Sequence, residues 1–276
     1  MKTFFIALGF FTRLPVPKME FTTERYGRAM KLTPLVGLVL GAILVLLALL
    51  ISVLNLPALI RSAILMCAYI ILTGGLHLDG LADTCDGVFS GRSRAQSLEI
   101  MKDCRIGVFG MLGIFMAGVF YFALFTLAPP AAILVFPLCG RACFLISASI
   151  APYAREEGMG KIAGAGSGPA AVAVSLASLA GGSLLTIPFV KIPIVNQILV
   201  IEPSRGLLPA FEYNPVFPAI CSLIAIAVAI IVTVCMTSHF KKKLGGVTGD
   251  TFGAVIEVSA ITYLFVFTIL HPVMPL

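Results

Sequence analysis

Apolar runs of about 20 residues recur along this chain, and no other feature limits its fold as strongly. A helix of about 20 residues crosses the roughly 30 Å hydrocarbon core of a bilayer. With 59% hydrophobic residues and a mean hydropathy of +1.06, one water-soluble domain has no interior large enough to hide them. The expected fold is an all-α polytopic integral membrane helical bundle, a single membrane-embedded domain over 1–276, with about seven transmembrane helices. The spans fall at Leu32 to Leu54, Ala58 to Leu76, Val108 to Leu127, Ala131 to Ile150, Pro169 to Phe189, Val216 to Met236 and Thr251 to Leu270. Asn55-Leu56-Pro57 and Pro129-Pro130 supply tight turns between them. Lys191 to Pro215 is proline-rich and sparsely charged, and reads either as a loop or as a further short span.

Residues 1–31 set Lys2, Arg13, Lys18, Arg25, Arg28 and Lys31 around a short apolar patch, Phe4 to Phe11. The patch is interrupted by Arg13-Leu14-Pro15 and has no convincing cleavage site after it. It reads as an uncleaved amphipathic or re-entrant segment at the cytoplasmic interface. Alternation of seven spans places the N-terminus and the loops starting near His77, Ala151 and Ser238 on one side. These regions hold 15 of the 19 Lys and Arg residues, which by the positive-inside rule makes that side the cytoplasm of a cell (inner) membrane protein. Eleven of the 13 acidic residues lie there too, so the chemistry belongs to that face. The net charge of +6 therefore reports orientation and not nucleic-acid binding. The seven cysteines lack C-x-x-C pairing and read as small buried hydrophobes, not as disulfides or a zinc site.

Charged residues are only 12% of the chain, yet 77–107 concentrates them between two apolar segments. In His77-Leu78-Asp79-Gly80-Leu81-Ala82-Asp83-Thr84-Cys85-Asp86-Gly87, the i, i+4, i+7 spacing places Asp79, Asp83 and Asp86 within an arc of about 60° on one helical face. Carboxylates stacked this way repel unless a positive charge sits among them. Mg²⁺, which shares its shell between a few carboxylates and substrate phosphates, suits such a face; a lysine clamp or a solvated helix start are the other readings. Farther on, Glu99 and Asp103 share a face at i, i+4, with Lys102 and Arg105 nearby. That pattern suits a salt-bridge lattice or a site holding metal and phosphate together. His77 reads as a general base, a phosphate contact or a satisfied interfacial residue.

A second acidic motif spans 238–257. In Gly245-Gly246-Val247-Thr248-Gly249-Asp250-Thr251-Phe252-Gly253-Ala254-Val255-Ile256-Glu257, Asp250 and Glu257 share a face, with Gly253 and Ala254 keeping it thin. Glu257 lies about two turns inside an apolar helix, and a carboxylate at that depth is a functional candidate by default. Arg141 is the other charge embedded in a span.

GGLHLDGLADTCDG, EIMKDCRIGVFG and GGVTGDTFGAVIE, in this order, resemble the cobalamin synthase (adenosylcobinamide-GDP ribazoletransferase) family. Phe11-Thr12-Arg13-Leu14-Pro15 and Tyr153-Ala154-Arg155-Glu156-Glu157-Gly158 extend the resemblance over most of the chain. The resemblance implies a Mg²⁺-dependent transferase that joins adenosylcobinamide-GDP to α-ribazole or its 5′-phosphate and releases GMP. Asp79, Asp83, Asp86, Asp250 and Glu257 would then hold the metal. Lys102, Arg105, Arg13, Arg155, Glu99 and Thr248 would contact substrate, and Asp103 or His77 would be the base. The implied partners are those substrates and the lipid bilayer; a homo-oligomer is compatible with it and nucleic acid is not implied. A CDP-alcohol phosphotransferase is the nearest enzyme alternative, but Asp86-Gly87 runs on as Val88-Phe89-Ser90-Gly91, without the D-G-x-x-A-R element of that family. A cation-coupled transporter would carry charges near the midplane of several spans, whereas here the acids crowd one face.

Overall fold

The computed structural model describes residues 2–19, 22–158, 160–161, 167–188 and 216–271. Among the described residues, eleven α-helices follow one another and no strand forms: α1 (Lys2–Phe11), α2 (Thr23–Met30), α3 (Thr33–Ser52), α4 (Ala58–Thr73), α5 (Leu76–Phe89), α6 (Arg94–Ile100), α7 (Val108–Leu127), α8 (Pro130–Ile150), α9 (Pro169–Leu184), α10 (Phe217–Leu244) and α11 (Gly249–Leu270). The protein is an all-helical, multi-pass membrane bundle. Lys191 to Pro215 lies outside the described residues.

The helix at the centre is α8, which packs against α3, α9, α10 and α11 and buries nearly its whole length. At the rim, α7 does the reverse. Met111, Phe115 and Val119 stand on one open stripe, with Phe115 63% exposed. A stripe that apolar suits lipid and not water. Five helices, α3, α7, α8, α10 and α11, are long and apolar enough to cross a membrane. The number rises to six if α4 and α5, bent by 87°, count as one broken span. At two of the about seven expected spans, Ala58 to Leu76 and Pro169 to Phe189, the described helices α4 and α9 are shorter, at 16 residues each.

The reason at the first of these is local. Gly74 and Gly75 take φ of 63° and 70°, a left-handed pair that ends α4 early and swings the chain into α5. Arg13 braces this corner: its backbone N–H donates to the Leu72 carbonyl at 2.8 Å, and its side chain lies against Gly74. Three of the 14 residues of α5 are aspartates, which sets it at the charged end of the bundle, outside the spans. The expected interfacial segment at the N-terminus is the helix pair α1 and α2. Thr22 caps α2, which turns Tyr26, Ala29 and Met30 inward, and Phe10 meets the Tyr26 ring edge-on at 5.1 Å.

Candidate active site

The two acidic motifs meet because α5 and α11 cross at glycine. A Cβ on Gly80 would stand 2.7 Å from the Asp250 carbonyl oxygen, and one on Gly253 would stand 2.9 Å from the His77 carbonyl oxygen. Neither backbone can yield at that distance, so both positions require the hydrogen side chain for the helices to touch. The start of α11 is fixed by a capping box in which Thr248 accepts from the Thr251 N–H at 3.2 Å. A clip made of one parallel bridge holds the loop after α8 to the loop before α11: Val247 donates to the Pro152 carbonyl at 2.9 Å and Ala154 to the Val247 carbonyl at 2.8 Å. The clip delivers Arg155, whose Nη2 bonds Asp250 Oδ2 at 2.8 Å in a largely shielded ion pair.

Asp83 on α5 sits in the field this assembly creates. Burial raises its proton affinity first, and the charges of Asp250, Asp79 and Asp86 add to it, with Arg155 opposing, so that its pKa stands at about 7. Several carboxylates thus share one region with a single guanidinium among them. Among the described residues, no three His, Cys, Asp or Glu side chains are gathered closely enough to cage a metal unaided. Mg²⁺ does not require such a cage, since it keeps several waters and takes one or two protein carboxylates together with substrate phosphates. The hard oxygen donors and the uncompensated charge around Asp83 fit that ion.

Asp86 and Glu257 are engaged elsewhere. Asp86 accepts from the Gly107 N–H at 2.7 Å and the Gly110 N–H at 2.9 Å, capping the start of α7 with both carboxylate oxygens. Glu257 is fully buried between helices: Tyr121 donates to it at 2.5 Å and Tyr69 at 3.3 Å. Arg141 on α8 is near enough for its charge to act on Glu257 and on Tyr69. Its Nη1 donates to the Pro137 carbonyl at 3.1 Å, while Nε and Nη2 are buried without a hydrogen-bond partner.

The remaining sequence candidates divide further. Asp103 does not share a helical face with Glu99, because α6 stops at Ile100 and the chain turns through Met101 and Lys102. Hydrogen bonds from Arg105, the shortest 2.6 Å, hold the Asp103 pKa down at about 2. Glu99, Lys102 and Arg105 are exposed, and no hydrogen bond or ion pair joins them to Asp79, Asp83 or Asp250. Arg13 braces the α4–α5 corner, and Thr248 is a buried cap that also lies 3.4 Å from Asp250. His77 is buried beside the α5–α11 crossing with Nε2 unpartnered; burial, followed by the Arg141 charge, holds its proton affinity well below the ordinary imidazole value. Sequence reading missed Tyr69 and Tyr121 as partners of Glu257. A tyrosine inside an apolar span, with a hydroxyl needing a partner, was the available signal.

The class these features define is a membrane-embedded helical enzyme with an acidic, arginine-bearing site at one end of its bundle. The family model for cobalamin-5-phosphate synthase matches residues 3–268. Proteins named adenosylcobinamide-GDP ribazoletransferase align over nearly the whole chain. The one from Acetivibrio thermocellus is 36% identical, with 97% of each chain covered. That of Fusobacterium nucleatum is 34% identical over 98% of each, and that of Klebsiella pneumoniae is 34% identical over 96% of this chain and 98% of its own. No solved structure matches. The chain belongs to the cobalamin-5-phosphate synthase family and is a transferase of cobalamin synthesis.

Proposed function

We propose that this chain transfers the cobinamide phosphate of adenosylcobinamide-GDP to a ribose hydroxyl of α-ribazole or its 5′-phosphate, releasing GMP. The observation that carries the reading is the crossing of α5 and α11, which sets Asp79 and Asp250 on one cavity lining, with Arg155 bonded to Asp250. In the reaction, a new bond forms between the ribose oxygen and the cobinamide phosphorus. The bond from that phosphorus to the GMP oxygen breaks, and the hydroxyl proton is released. Phosphoryl transfer of this kind depends on positioning and on neutralising charge more than on a strong base.

Asp79, Asp83 and Asp250 are the residues we assign to Mg²⁺. Bound there, the ion would neutralise the pyrophosphate and the charge developing on the departing phosphate. Asp86 and Glu257, tied to the α7 N-terminus and to two tyrosines, serve the frame that holds those three. Arg155 orients Asp250, and its remaining N–H groups would be the donors for a substrate phosphate. The excess of Lys and Arg at this end of the bundle favours the cytoplasmic face of the inner membrane for the reaction.

The test is release of GMP in step with cobalamin formation, using membranes that contain the full chain, with and without Mg²⁺, and with Asp83→Asn beside wild type. Turnover that needs Mg²⁺ and is lost in the variant upholds the proposal. A well-inserted wild-type chain that releases no GMP from adenosylcobinamide-GDP overturns it.

A further inference from the structure

Beside the carboxylates, a cavity of about 200 Å³ opens between α1, α5, α8 and α11. Its character is unlike that of the acidic rim. Phe10, Phe11, Phe144 and Phe252 line it, and their rings form a continuous arc: Phe10 to Phe11 at 5.0 Å, Phe11 to Phe144 at 5.7 Å, and Phe144 to Phe252 edge-on at 4.9 Å. The His77 imidazole continues the arc, 5.5 Å from Phe11, and it too lines the cavity. His77 is 3% exposed, and its Nε2 has no hydrogen-bond partner. A buried, unpaired ring nitrogen on an otherwise aromatic wall costs free energy unless a ligand completes it. Asp79 and Asp250 stand on the same lining, so whatever fills the aromatic part is held against the assigned metal residues.

The geometry points to this cavity as the seat of the flat base of ribazole, with His77 Nε2 donating to the free ring nitrogen of the benzimidazole. The inference rests on the ribazoletransferase reading above and deepens it. A benzimidazole is a small bicyclic ring with large apolar faces and one free acceptor nitrogen, which matches four phenylalanines and one unpaired donor. Guanine and adenine, the other bases carried by the substrates, present several donors and acceptors around their edges, and the aromatic part of the lining offers too few partners for them. With the base seated among the phenylalanines, the attached ribose faces Asp79 and Asp250, where its hydroxyl is needed. His77 is thus a substrate-binding group and not the general base.

Equilibrium dialysis of α-ribazole against the full chain in lipid nanodiscs, without the second substrate, reads this pocket independently of turnover. The probe beside it is the indole riboside, in which the free ring nitrogen is replaced by CH. Wild type should hold α-ribazole about tenfold more tightly than the indole compound. His77→Leu should lower α-ribazole to the level of that compound, His77→Gln should restore part of the difference, and Phe10→Ala should weaken both ligands. Equal affinity of wild type for the two ribosides overturns the assignment, and that arm requires no variant to fold. Unchanged discrimination in a folded His77→Leu protein overturns it as well. Discriminating retention of α-ribazole by a protein that releases no GMP would uphold the pocket while removing the reaction proposed above.

Discussion

Asp250 and Glu257 lie on one helix, seven residues apart and on the same face, yet they belong to different parts of the machine. Asp250 sits at the first turn of α11, part-exposed, paired with Arg155 and within the field of Asp83. Glu257 sits two turns deeper, fully buried and held by Tyr69 and Tyr121, with Arg141 nearby. The difference teaches that a carboxylate inside a membrane helix can be a fastening between spans. Four helices, α4, α7, α8 and α11, meet at Glu257, whereas Asp250 stands with Asp79 and Arg155 where charge reaches the end of the bundle.

Four experiments would break or sharpen this contrast. The largest effect belongs to the deep cluster: Arg141→Leu removes the positive partner of a buried carboxylate and should cost about 3–5 kcal/mol of stability. Thermal melting in detergent measures the loss, and kcat per folded molecule should be retained. Next is Asp83→Asn, expected to lower kcat about 100-fold or more while the melting temperature holds or rises. If the losses fall the other way, stability with Asp83 and turnover with Arg141, the two regions have been assigned in reverse.

Asp86→Asn probes the third aspartate of the α5 face. One of its two bonds to the α7 N-terminus is lost, so the expected cost is about 1 kcal/mol in a denaturation series, with turnover within about threefold of wild type. A loss of turnover matching that of Asp83→Asn would return Asp86 to the metal.

The smallest effect is in pH. In metal-free protein Asp83 binds its proton more tightly than it does in the unfolded chain, where an aspartate titrates near its usual value of about 4. Its contribution to stability is therefore present in full below that value and lost as pH rises through about 7. Melting in EDTA at pH 5.5 and 8 should show a decline that is shallower in Asp83→Asn and shallower again in wild type given Mg²⁺. An identical slope in the variant would show that Asp83 does not carry it.

The membrane class and the helical face of α5 were legible because each rests on short-range periodicity or on charge placement, whereas the meeting of the two acidic motifs, far apart in the chain, was implied only by the family resemblance. The i, i+4, i+7 spacing of Asp79, Asp83 and Asp86 survives intact in α5. Which of those carboxylates are free was not legible. Asp86 is spoken for by two N–H groups more than 20 residues away, and Glu257 by tyrosines on two other helices. The assumed helical continuity from Glu99 to Asp103 failed because α6 stops at Ile100, where the chain turns toward the α7 start at Gly107. The aromatic cavity was not legible for a similar reason: Phe10, Phe144 and Phe252 read as ordinary apolar residues until three separate stretches bring them to one cavity.

The clip between Pro152–Ala154 and Val247 bears on how the protein is made. Asp83 emerges from the ribosome long before Arg155, and longer still before Asp250. At ordinary synthesis rates the aspartates of α5 wait on the order of ten seconds or more for α11 to enter the membrane. Until then Asp83 lacks its acidic neighbour on α11, and the crossing at Gly80 has nothing to press against. A chain interrupted before its last helix lacks Asp250 and Glu257 alike, and with them the crossing that brings the two acidic motifs together.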